Sequence, residues 1–164
     1  MTMKILFVCT DNNGRSVVAE YSLRRYLVNK EITGVEVSSC GTNANSDLNG
    51  FSFAHLDVLK KLGMDASDHK RTQLTEGMIV NADWVIVFDH KQQKYLKANF
   101  GCDAELFDHI CFARDTEVTF SGFGKSKDEN AVALAHHIND AIPVFYQIVI
   151  AKENLNNILL SCTR

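Results

Sequence analysis

The run Ile5-Leu-Phe-Val8 is apolar at every position, and a strand of that kind has to be covered on both faces. Ser16 to Asn29 then carries Val18, Tyr21, Leu23, Tyr26 and Leu27 at helical spacing. The unit repeats. Val35-Glu-Val-Ser-Ser39 alternates as a second strand, a Gly/Asn/Ser-rich loop covers Gly41 to Gly50, and Phe51 to Leu62 reads as a helix that stops at Gly63. Trp84 to Phe88 is a third strand and His90 to Asn99 an amphipathic helix. Leu106 to Ile110 is a weaker fourth strand, and Ala131 to Ala151 a closing helix expected to bend at Pro143. Strands alternating with helices imply right-handed crossovers, so the expected fold class is α/β, a three-layer, four-stranded parallel sheet with helices on both faces.

At 164 residues and 46% hydrophobic, the chain is expected to form a single domain over 1–164 whose core needs no staple. A net charge of −3 without a Lys/Arg cluster argues against a nucleic-acid partner. The apolar run near the N-terminus is too short for a signal sequence, and no segment approaches the roughly 18 apolar residues of a membrane span. A cytoplasmic protein without membrane partners is expected. Cys9, Cys40, Cys102, Cys111 and Cys162 are odd in number and lack CxxC spacing, which indicates reduced thiols rather than a disulfide framework or a zinc site. His136 and His137 are adjacent on a predicted helix and point apart, so neither a metal nor another cofactor is expected.

The stretch Cys9-Thr-Asp-Asn-Asn-Gly-Arg-Ser16 lies between the first strand and the first helix, at the carboxyl edge where parallel sheets bind ligands. A loop there aims several backbone N–H groups at one point, and the helix N-terminus adds positive potential. Gly14 permits a tight backbone, Asn12 and Asn13 tolerate left-handed conformations, and Arg15 adds a planar fork for phosphate oxygens. The same field favours a thiolate at Cys9, so nucleophile and oxyanion cradle coincide. Ser16 reads either as a helix cap or as a hydroxyl donor to the Cys9 sulfur.

"VCTDNNGRS" resembles the phosphate loop of the low-molecular-weight protein tyrosine phosphatases, with the usual pattern V-C-x-G-N-x-C-R-S. "SSCGT" at Ser38 to Thr42 looks like that family's S-A-G-T, "SDHKRTQLT" from Ser67 like its S-x-H-x-x-R-Q-L, and "ADWVIVFD" like its third strand. The resemblance implies a flavodoxin-like fold of the phosphotyrosine phosphatase I type and an enzyme hydrolysing aryl phosphate monoesters through a phosphocysteine. Cys9 would be the nucleophile, and phosphate would bind across Thr10, Asp11, Asn12, Asn13, Gly14, Arg15 and Ser16. Asn12, Ser16, Ser39 and His69 would support the loop. The implied partners are a phosphotyrosine-containing protein or a small aryl phosphate, with inorganic phosphate as product.

Four departures qualify that reading. Gly14 replaces the second loop cysteine, which removes the partner that would trap an oxidised Cys9. Asp11 replaces a glycine and brings a negative charge near a dianion. Thr72 stands where the arginine of R-Q-L falls. No Asp-Pro pair exists to supply the general acid. Aligning Glu117 to Gly124 on V-P-D-P-Y-x-G puts Phe120 at the acid's position and Ser121 at the proline, leaving Asp115 as the candidate loop carboxylate, with Glu117 and Asp128 as alternatives. Phe51, Phe120 and Phe123 are candidates for an aromatic mouth. Two other readings share the loop: a phosphate-binding pseudophosphatase, and a thiol-dependent arsenate reductase, for which Cys102 and Cys111 lack the close spacing of a relay pair.

Overall fold

The computed structural model describes residues 2–121, 123, 124 and 126–162. Four parallel strands form one sheet in the order β2-β1-β3-β4: β1 (Met3–Cys9), β2 (Val35–Gly41), β3 (Trp84–Val87) and β4 (Glu105–Leu106). The helices are α1 (Arg15–Asn29), α2 (Ala54–Lys61), α3 (Glu76–Val80), α4 (His90–Phe100), α5 (Phe107–Phe112) and α6 (Lys127–Cys162). Side chains of β1 alternate between the two faces, as the two-residue period of a strand requires. Ile5, Phe7 and Cys9 enter the larger core with residues of α1, α2, α5 and α6. Leu6 and Val8 enter a smaller one with Cys40, Val87 and Leu96. The sheet is therefore covered on both faces, which is the three-layer α/β class the sequence predicts.

Under the carboxyl end of β1 lies an aromatic cluster, with Phe7 5.4 Å from Phe145 and Phe107 stacked 5.4 Å from Phe145. Rings of this size bury the largest apolar areas in a core. They brace the strand end from which the Cys9 loop departs.

The fourth strand requires correction. Of the expected strand over Leu106 to Ile110 only Leu106 pairs with β3, as part of Glu105–Leu106, and Phe107 to Ile110 are instead the start of α5. Phe107, Ile110 and Cys111 are the buried apolar positions, a helical i, i+3, i+4 set, and Ala113 closes the helix in the left-handed region at φ 52. The closing helix runs Lys127–Cys162, longer than expected at both ends, and continues through Pro143. Leu155, Ile158, Leu159 and Leu160 on its last turns are exposed, so the burial periodicity fades near where the expected helix stopped. No helix among the described residues is long and apolar enough to cross a membrane.

Candidate active site

The loop from Cys9 to Arg15 joins β1 to α1, beside the neighbouring ends of β2 and β3. Its carbonyls are turned outward. Those of Cys9 and Thr10 accept from the N–H groups of Thr42 and Asn43 at 2.9 and 2.8 Å, and that of Gly14 accepts the first helical bond, from Val18 at 2.8 Å. The Asp11 carbonyl accepts from Arg71 Nε at 2.8 Å and that of Asn13 from His55 Nε2 at 2.7 Å. Among the described residues, none of the backbone N–H groups from Asp11 to Ser16 is taken by a protein acceptor. A chain whose carbonyls are tied back and whose amides are left over is an anion nest. Gly41 backs onto it, since a Cβ there would stand 2.5 Å from the Thr10 carbonyl oxygen.

Two side chains extend the surplus of donors. Arg15 is 8% exposed; its Nη1 donates to Asp89 Oδ2 at 2.6 Å and to the Val118 carbonyl at 3.0 Å, while its Nε is buried without a partner. Asn13 Nδ2 is likewise buried and unpartnered. Leaving such groups unsatisfied costs about 1–3 kcal/mol each, which a tetrahedral anion would recover.

Asn12 locks the loop. At φ 49 it adopts the left-handed backbone expected of it, and its amide is fully used. Nδ2 donates to Ser16 Oγ at 3.0 Å and to Ser39 Oγ at 2.8 Å, and Oδ1 accepts from His69 Nε2 at 3.2 Å and from the Thr72 N–H at 2.8 Å. Ser39 Oγ in turn donates to Glu20 Oε2 at 2.5 Å, and Glu20 pairs with Arg24 at 2.6 Å. Ser16 Oγ, already accepting from Asn12, lies 3.0 Å from Cys9 Sγ with its proton available to the sulfur. Cys9, Asn12, Ser16, Ser39 and His69 are thus brought together. Burial holds the pKa of His69 below its usual value, so it donates as a neutral ring.

Several participants lie outside the sequence motif. Asp89 ends the segment after β3; its carboxylate caps α4 by accepting from the Gln92 N–H at 2.8 Å while also holding Arg15. Its signal was available, since Asp89 and Gln92 form a capping box and the end of β3 adjoins β1. His55, on α2, gave no local signal. Burial lowers its pKa, so the neutral ring donates from Nε2 to Asn13 while Nδ1 stays buried and bare. Arg71, one position before Thr72, supplies the guanidinium expected there, donating from Nη2 to Ser46 Oγ at 2.7 Å in addition to its bond to Asp11. Ser46 in turn donates to the Asp11 carboxylate at 2.5 Å, which commits that charge to the 46–71 side of the loop. Thr10 Oγ1 accepts from Gln92 Nε2 at 3.2 Å.

Asp115 has a different setting. Its side chain is 75% exposed and lies 3.3 Å from His90 Nε2, in a cleft lined by Gln93, Ala104, Glu105, Leu106 and His109. Glu117 accepts from the His90 N–H at 2.8 Å, and Asp128 from Ser52 Oγ at 2.6 Å. Phe120 lies against Gly14, Phe51 lines a cavity with Phe120, and Phe123 packs on His137 at 6.2 Å. Cys9, Cys40, Cys102 and Cys111 are free thiols; the side chain of Cys162 lies outside the described residues. No group of three His, Cys, Asp or Glu able to hold a metal occurs among the described residues.

A buried thiol on an anion nest at the carboxyl edge of a parallel sheet is the arrangement of the cysteine-dependent phosphatases. Residues 4–113 match the family described as low molecular weight phosphotyrosine protein phosphatase, and the chain belongs to that family. It is 34% identical over 98 residues to the probable low molecular weight protein-tyrosine-phosphatase EpsP of Ralstonia nicotianae, a match spanning 60% of this chain and 63% of that one. It is 33% identical over 100 residues to the protein-arginine-phosphatase of Bacillus subtilis, spanning 60% and 64%. The YwlE arginine phosphatase of Geobacillus stearothermophilus superimposes with a TM-score of 0.75 at 26% identity, covering 94% of this chain and 96% of that one. The low molecular weight protein tyrosine phosphatase of T. tengcongensis superimposes at 0.73 with 26% identity, covering 89% and 99%.

Proposed function

We propose that this chain hydrolyses aryl phosphate monoesters, phosphotyrosine among them, through a phosphocysteine on Cys9. The observation that carries the reading is the nest itself: outward-tied carbonyls, unclaimed amides and the buried Arg15 Nε, with the Cys9 sulfur hydrogen-bonded at its base. The Cys9 thiolate attacks phosphorus and the P–O bond to the leaving group breaks. Arg15 and the loop amides hold the equatorial oxygens, whose charge spreads in the transition state. Water then attacks the phosphocysteine, the P–S bond breaks, and phosphate leaves as Ser16 donates to the returning thiolate.

Acid assistance to the leaving oxygen is weak in this reading, because the nearby carboxylates are committed: Asp89 to Arg15, Asp115 to His90, Glu117 to the His90 backbone. Loss of a general acid lowers rates roughly 10²–10⁴-fold, so activated esters are expected to react best. Asp115→Asn should leave the rate on phosphotyrosine within about threefold of wild type, and a far larger loss would reinstate Asp115 as the acid. The relatives named protein-arginine-phosphatase make phosphoarginine, a phosphoramidate whose P–N bond would break in place of a P–O bond, the comparison substrate. An arsenate-reductase relay finds no support, since Cys102 and Cys111 lack the close spacing of a relay pair and Cys111 is buried on α5. We place the protein in a reducing, cytoplasmic setting, which its free thiols support. Steady-state hydrolysis of an activated aryl phosphate, phosphotyrosine and phosphoarginine tests the reading. Turnover of the aryl esters that disappears in Cys9→Ser is expected, and turnover that survives in Cys9→Ser would overturn it.

A further inference from the structure

His55 is fully buried in the first turn of α2 and reaches the nest from outside, donating from Nε2 to the Asn13 carbonyl at 2.7 Å. A trans peptide carries its C=O and N–H on opposite sides, so holding that carbonyl out aims the Gly14 N–H into the nest. With Nε2 as the donor, Nδ1 of the neutral ring is a lone pair, buried and without a partner. A proton can be added there without breaking a hydrogen bond. Charge decides whether it is added. Burial and a place at a helix start both disfavour an imidazolium, and burial holds the pKa of the ring below its usual value. Asp57, on the same helix, opposes this. From α6, Asp128 is bonded to Ser52, Lys127 to the Gly50 carbonyl, and His136 shares a cleft with Asp57 and Lys61. On the loop side stand Cys9 and Arg15, the latter held by Asp89. His69, the other ring on the frame, faces Glu20 and Arg24 instead. A dianion in the nest would bring two negative charges to the far side of the Asn13–Gly14 peptide, in a water-poor interior where charges act strongly on one another.

We propose that His55 is a positioning residue that holds the Asn13 carbonyl away from the nest and takes a solvent proton on Nδ1 when a dianion enters, so that anion and proton bind together. The ring carries a positive charge while the site is occupied and returns the proton to solvent as the anion leaves. By reciprocity, proton and anion favour each other by the same factor. The inference deepens the phosphatase reading and rests on its anion site, not on turnover.

Sulfate is the probe, because it stays a dianion from about pH 5 to 8, where histidine titrates. Binding is measured in a Cys9→Ser background, which removes a thiol that would also titrate, and proton NMR follows the His55 ring, assigned by its absence in His55→Gln. The ring's pKa is expected to rise when sulfate saturates the site, and sulfate affinity to increase about tenfold as pH falls from about 8 to about 5. His55→Gln, whose amide keeps a donor for Asn13, should bind sulfate within about twofold at about pH 8 and lose most of the pH dependence, whereas His136→Gln should keep it. His55→Leu, with no donor, should weaken sulfate about tenfold at about pH 8. His55→Asn, too short to reach Asn13, gives the same comparison should His55→Leu fail to fold. A ring titration unmoved by sulfate, or a pH dependence that survives in His55→Gln, would overturn the proton link. Equal affinities in His55→Gln and the variants without a donor would overturn the positioning role. Absence of sulfate binding at every pH would remove the anion site and this inference with it. Sulfate binding without the proton link would leave the phosphatase reading standing, and the link without ester hydrolysis by wild type would uphold this inference and remove that reading.

Discussion

Asn12 shows how much one residue carries. A left-handed backbone and four hydrogen bonds hold the loop in a shape that leaves its amides free. Asn12→Ala is expected to cost about 1–3 kcal/mol for each buried group left unsatisfied, and urea melts check it; an unchanged midpoint would contradict the account. Arg15→Lys should weaken phosphate roughly tenfold, because an ammonium cannot reproduce the guanidinium fork, and calorimetry reads this directly. Two histidines set opposite pH dependences. Burial lowers the His55 pKa, so the unfolded chain takes up a proton that the folded protein refuses, and the stability carried by the neutral ring is lost as pH falls below about 6.5. The bond that His137 donates to the Asp108 carboxylate raises the His137 pKa, so its contribution is full below about 6.5 and is lost as pH rises through the raised value. Melting temperature against pH should lose part of its acid sensitivity in His55→Asn, the lowered His69 keeping the rest, and part of its alkaline sensitivity in His137→Asn, and parallel curves for wild type and variants would contradict both assignments.

At the scale of elements, the sequence is most legible where structure is local. β1, α1 and β2 follow from apolar runs and helical spacing, and the Cys9 loop is contiguous, so strand end, nest and helix start are read in one pass. The short apolar stretch after Glu105 was ambiguous by nature, since five residues fit either period, and the buried set Phe107, Ile110 and Cys111 decides for the helix. α3 has five residues and no buried side chain, which leaves no periodicity to detect. The frame around the loop was the least legible part. His55, Arg71 and Asp89 reach it from α2, from the segment before α3 and from the end of β3, and only the fold brings them to Asn13, Asp11 and Arg15. Ser39 and His69 were expected only through the family resemblance, not through any local pattern of their own. Asp115 is the loop aspartate nearest to Phe120 in sequence, and the fold sets it beside His90 at the head of α4.

The whole molecule places an aromatic core beneath an anion nest. Phe7, Phe88, Phe107 and Phe145 join β1, the end of β3, α5 and α6 into one cluster, so damage there should reach the loop through β1. Phe145→Ala is expected to cost about 3–5 kcal/mol, read by chemical denaturation, and a cost below about 1 kcal/mol would show that the cluster does not brace the strand. With Phe120 against Gly14 and the nearby carboxylates otherwise engaged, the proposed reaction would favour good leaving groups. The central claim is that the Cys9 sulfur takes the phosphoryl group. The most direct measurement is rapid acid quench during turnover of an activated aryl phosphate, followed by mass spectrometry of the intact protein and its peptides. The account predicts a phosphoryl group on Cys9 that forms and decays at rates consistent with turnover. Steady hydrolysis with no label on Cys9, or with the label on another residue, would contradict it.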